Sequence, residues 1–230
     1  MKHRSFRGRI DCIRDGAGNS GREWFSVTVQ PNGNRTLRAQ CEMDDIGLLR
    51  DVVQTLDGDW LPVDSFVRLT KDGEFMGAGW FRFFDRHVEC EAVTAAEGRV
   101  SQRIETQGRA RILASHPLMT DGWQCAAFDH ASDERTQIIK PWVNSSPRPD
   151  GGSGPIAAVG EKIIDYVGEE TITVPAGTFD TRHYRLHASQ PEVPALETWV
   201  FGEDYQFAKM RWDLLSSDYV LAEYQADNGP

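Results

Sequence analysis

The stretch "VPAGTFDTRHYRLHA" (174–188) sets His183 and His187 four residues apart, with Tyr184 and Arg185 between them and Arg182 just before. On a helix that spacing could chelate a metal, because two imidazoles would share a face about 6 Å apart. Here it follows a Pro-Ala-Gly turn and lies in an alternating run, so it reads as a strand. Four residues of strand span about 13 Å, too far for one ion. No metal is expected. A strand instead puts His183, Arg185 and His187 on one face, opposite Arg182, Tyr184 and Leu186. That face is either ordinary surface charge or the lining of a concavity in which the planar fork of Arg185 grips a carboxylate. The next strand, "ETWVF" (197–201), shares the alternation and offers Trp199 and Phe201 as an aromatic wall.

A second candidate is "SHPLMTDGWQC" (115–125). His116 precedes a proline, which favours extended backbone and a fixed, rim-like loop. Asp121 lies five residues on, before a glycine, and Trp123 can offer a stacking face that closes the rim. The chemistry such a set would do is general-base catalysis by His116 with Asp121 orienting it. A capped turn around a packed tryptophan is the rival reading. His130, flanked by acids in "FDHASDER", reads as an exposed loop or helix start. GxSxG and GxxxxGK[ST] are missing, and "DGAGNSG" (15–21) reads as a turn between two strands, so no cofactor is expected. "GGSGP" (151–155) has neither the lysine nor the helix of a phosphate loop.

The bulk composition narrows the partners. A net charge of −10 with pI near 5.1 argues against nucleic acid and against an anionic membrane surface. The amino end "MKHRSFRGRIDCIRDG" is charged, and no apolar run approaches the roughly 20 residues of a membrane span, so the expected location is cytoplasmic. Cys12, Cys41, Cys90 and Cys125 form no CxxC pair and read as thiols buried in strands.

Elements to position these residues follow from period-two alternation broken by glycine-rich turns. Strands are expected over 6–14, 23–30, 36–43, 65–70, 75–85, 87–93 and 100–113, then over 157–167, 170–175, 179–189, 195–201, 207–215 and 218–225. In "DDIGLLRDVVQTLDGDW" (44–60) the apolar positions Ile46, Leu49, Val53 and Leu56 predict a helix near 45–57; a strand over Val52–Leu56 is the rival. Residues 114–142 are irregular with room for a short helix, and 144–155 reads as a flexible polar loop. The fold predicted is mainly β: one domain over 1–230, a single strongly curved antiparallel sheet with one or two short helices packed on it.

"VPAGTFDTRHYRL" followed by "ETWVFGEDYQFAKMRWDL" resembles the pattern of domain-of-unknown-function family 3108, and the order leading to "DWLPVDSFVRL" is also similar to it. The likeness spans most of the chain and rests on turn and strand signatures. It implies an open β half-barrel related to lipoprotein-carrier proteins, whose concave face can hold apolar molecules. Relatives of this shape include a cofactor-free biosynthetic enzyme.

The function expected is therefore binding of a small, partly apolar, carboxylate-bearing molecule in the half-barrel, with His183, Arg185, His187, Trp199, Phe201 and Trp123 as ligand contacts. The alternative is a cofactor-independent lyase, isomerase or hydrolase using His116 or the His183/His187 face. An interaction module pairing through an open sheet edge is a third.

Overall fold

The computed structural model describes residues 3–148, 150–187 and 192–227. The first eight strands are β1 (Arg4–Arg14), β2 (Gly18–Val29), β3 (Arg35–Met43), β4 (Leu48–Leu56), β5 (Pro62–Lys71), β6 (Glu74–Phe83), β7 (His87–Thr94) and β8 (Gly98–Glu105). Then come β9 (Ile112–Ala114), the helix α1 (Leu118–Gln124), β10 (Thr136–Asn144) and β11 (Ala158–Val174). The chain finishes with β12 (Gly177–Leu186), β13 (Leu196–Phe201), β14 (Gln206–Trp212) and β15 (Ser217–Asp227).

All fifteen strands belong to one open sheet, in the order β8-β7-β6-β5-β4-β3-β2-β1-β15-β14-β13-β12-β11-β10-β9. Two meanders therefore hang from a central pair, β1 and β15. Neighbours run antiparallel except β9 and β10, which pair in parallel across the crossover that carries α1. The mainly β reading holds.

The expected helix near 45–57 is a correction. Only Asp44–Ile46 forms a single 3-10 turn, closed by Gly47 in the left-handed region, and β4 follows. Its inward set is Leu48, Arg50, Val52, Gln54 and Leu56, all buried, while Leu49 and Val53 face solvent. Two polar residues on the inner face and two apolar ones on the outer face hide the alternation. The α-helix described here is α1, inside the region left open for one.

Other boundaries shift by smaller amounts. The strand expected over 100–113 divides into β8 and β9, and β10 was missed. The two strands expected over 157–175 are one, β11, bulged at Val167 between Tyr166 and Gly168. Of the strand expected over 179–189, the last two residues lie outside those described. The segment 144–155 is irregular but anchored: Ser145 N–H donates to Ala114 O and Ile156 N–H to Ser145 O. Ser145 and Ser146 are buried.

Curvature brings the ends of the sheet onto each other. Leu113 of β9 and Val143 of β10 pack with Leu48, Val52, Leu69 and Phe81 of the opposite meander. The Gln102 side chain of β8 bonds both backbone groups of Ala157, at 3.1 and 2.9 Å. Pro155 lies on a glycine floor in β6, where a Cβ at Gly77 would stand 2.7 Å from Pro155 Cδ. Helix α1 fills the middle of the concave side, with Leu118, Met119 and Trp123 in the core of β1–β3 and β14.

Candidate functional site

What α1, β4, β10 and β11 leave unfilled is a cavity of about 820 Å³. Apolar walls come from Met43, Leu118, Trp142, Leu196, Met210 and Trp212; Arg50, His116, Asp121 and Lys162 supply charged or titratable groups. A cavity of this size with a few converging polar groups is what a small-molecule site requires.

Helix α1 is held by an acid from across the fold. Its first residue follows Pro117, which has no side chain to cap it. Glu23 of β2 takes that role, accepting the amide protons of Leu118 at 2.6 Å and Met119 at 3.1 Å. The Cys41 thiol also donates to Glu23, at 3.4 Å. Burial pushes this carboxyl up to about 7, against the downward pull of the two amides.

Arg50 is 1% exposed. Its Nη1 donates to His116 O at 3.1 Å and its Nη2 to Asp150 O at 3.0 Å, while Nε has no partner. No described carboxylate forms an ion pair with it. Asp150 and Asp121 are felt at longer range, but Asp150 pairs with Arg148 and Asp121 accepts from Gln124 at 2.8 Å.

Lys162 of β11 is 6% exposed. It has neither a hydrogen bond nor an ion pair among the described residues, and its Nζ stands 5.5 Å from the centre of the Trp142 ring. Burial lowers its ammonium to about 8, which Asp121 opposes. Asp121 itself is raised to about 6 by burial, offset by Lys162 and Arg50. Gln124 links this pair to the wall by accepting from Trp142 Nε1 at 3.3 Å.

His116 has φ of +75°, a region that costs a non-glycine residue about 1–3 kcal/mol and clusters at functional sites. Asn144 Oδ1 already accepts from Ser146 N–H, so His116 Nε2 is the donor in their 2.8 Å bond. Burial and Arg50 push this imidazole down to about 3, so it stays neutral and weakly basic. Asp121 does not orient it, contrary to the sequence expectation.

The six expected ligand contacts divide. His187 reaches the cavity wall, with Nε2 2.7 Å from Asp165 Oδ2. His183 Nε2 lies 2.5 Å from Glu197 Oε2, and its ring stacks on Trp199 at 4.1 Å. Arg185 Nε donates to Glu197 Oε1 at 2.7 Å, so its charge is already paired with an acid of this chain. Trp199 donates to Glu170, Phe201 stacks on Phe179, and Trp123 meets Trp60 edge-on in the core; none of these three lines the cavity. Sequence reading thus found His116, Asp121 and His187 but missed Arg50, Lys162 and Glu23. The missed residues share a signal: each stands in register with an apolar inward stripe, as Glu23 does with Phe25 and Val27.

No protein-family profile matches the chain, and no curated protein does. Among solved structures, it is similar to a β-barrel-like protein of domain of unknown function DUF1849 from Brucella abortus. The TM-score is 0.54 at 9% identity, over 98% of this chain and 97% of that one. A DUF1089 family protein from Pseudomonas aeruginosa gives a TM-score of 0.45 at 7% identity, over 84% and 90%. A putative exported protein with a YmcC-like fold from Bacteroides fragilis gives 0.30 at 8%, over 96% and 95%. The first shows a shared β-barrel-like fold and nothing finer. No described helix is long and apolar enough to cross a membrane.

Proposed function

We propose that the chain binds a small, partly apolar, acidic molecule in its concave cavity, with Arg50 as the anchor for the acid. The observation that carries this is a permanent charge, almost fully buried, beside an open cavity and bonded only to two carbonyl oxygens. Burying a guanidinium without an acidic partner costs several kcal/mol, and an acidic ligand would offset much of that. The apolar walls then take the rest of the molecule.

The "VPAGTFDTRHYRL" and "ETWVF" signatures support placing the chain near domain-of-unknown-function family 3108 among bacterial half-barrels. Four unpaired, buried cysteines support a reducing, cytoplasmic setting.

An anilinonaphthalene sulfonate dye, apolar and anionic, tests the reading directly. Decanoate should displace it from one site far better than decanol does. Arg50→Gln should weaken decanoate at least tenfold, the scale of a charged hydrogen bond at about 1.5–3 kcal/mol. Equal displacement by the acid and the alcohol, or unchanged affinity in a folded Arg50→Gln, overturns it.

A further inference from the structure

The chain carries five lysines among its 25 basic residues, so arginine supplies nearly all its ion pairs. Lys71 and Lys140 are exposed and Lys209 pairs with Asp218. Lys162 alone among the described lysines is buried, and it alone faces a cavity with its amine uncommitted. A lysine kept only for its charge would be as well served by arginine, which is held ionised and is common elsewhere in this chain. What lysine offers and arginine does not is a nucleophilic nitrogen.

We propose that Lys162 is a covalent anchor, its amine condensing with an aldehyde or ketone group of the bound acid to form an imine. The inference rests on the cavity reading above and names the ligand class: an apolar acid that also bears a carbonyl. Three features support it. The amine is free of hydrogen bonds and ion pairs; it is buried beside the apolar Trp142 ring, 5.5 Å from its centre; and a carboxyl group, Asp121, shares the cavity. An amine lowered to about 8 by burial has a reactive free-base fraction at neutral pH, the usual route to a nucleophilic lysine.

The step balances without an oxidant or reductant. The Nζ lone pair adds to the carbonyl carbon as the carbon–oxygen π pair moves to oxygen. One proton passes from nitrogen to that oxygen, giving a carbinolamine. Asp121, raised to about 6, is placed to give the hydroxyl a second proton; water leaves, the C=N bond forms, and the iminium faces the Asp121 carboxylate.

Phenylpyruvate, an aromatic acid with a ketone, is the probe, with cyanoborohydride as the trapping reductant and peptide mass mapping as the readout. The expected result is one adduct of the probe's mass less one oxygen, on the peptide carrying Lys162. Its formation should slow as pH falls below about 8, and decanoate should suppress it. Lys162→Arg should abolish it, with the circular dichroism spectrum of the variant checking that it is folded. If the dye binds but no adduct forms at Lys162, or lysines are labelled alike regardless of decanoate, the covalent anchor is refuted and the binding cavity stands. If neither the dye nor phenylpyruvate binds, both readings fall together.

Discussion

Glu23 and Leu118, 95 positions apart in sequence, meet at 2.6 Å where a β2 carboxylate accepts the first amide proton of α1. The contact makes the floor of the cavity depend on a strand from the opposite meander, since α1 also carries Asp121 and Gln124.

That dependence should show in acid–base behaviour. Glu23 titrates near 7 when folded, above its ordinary 4.5, so between those values the folded chain holds more protons than the unfolded one. Its contribution to stability is full below about 4.5 and is lost as pH rises through 7. Glu23→Gln should lack this slope. Denaturant midpoints of both proteins across pH 4–8 check it; parallel curves would exclude Glu23 as the source.

Arg185 lies half exposed in a pair with Glu197, and exposed pairs contribute little. Arg185→Ala should cost less than about 1 kcal/mol and leave dye affinity unchanged. A tenfold loss of affinity in titration would return Arg185 to the binding site.

Leu113, 2% exposed, joins the two ends of the sheet. Leu113→Ala should destabilise by about 2–5 kcal/mol, as buried leucines do when a void is left. Amide exchange should speed up most in β9 and β10 if closure is what the side chain secures. A loss spread evenly over the sheet would count against that.

Much of the fold was legible because period-two alternation survives wherever apolar side chains face inward, as Phe25, Val27 and Val29 do on β2. It failed at β4, where Arg50 and Gln54 take inward positions and Leu49 and Val53 take outward ones. The failure sits on the cavity wall itself. A binding wall needs polar groups on the apolar face, and those are what erase the pattern. His116 and Asp121 were found by residue type alone. Lys162 was not, because "EKIID" resembles a solvated strand until β11 is paired and its register turns Lys162 and Ile164 inward.

The pairing of β1 with β15 at the centre of the sheet also fixes the order in which this chain can fold during synthesis. Arg9 meets Glu223 only after the intervening residues have been made. Until then β1 keeps an unpaired edge beside β2, and before β9, α1 and β10 are made the first eight strands form a meander with nothing covering its inner face. Non-local closure of this kind is slow and leaves strand edges open to wrong partners. A nascent chain stalled after β8 therefore presents two things at once, a free edge and the bare apolar stripe of Leu48, Val52 and Phe81. Those are the features that chaperones recognise and that drive aggregation when chaperones are absent.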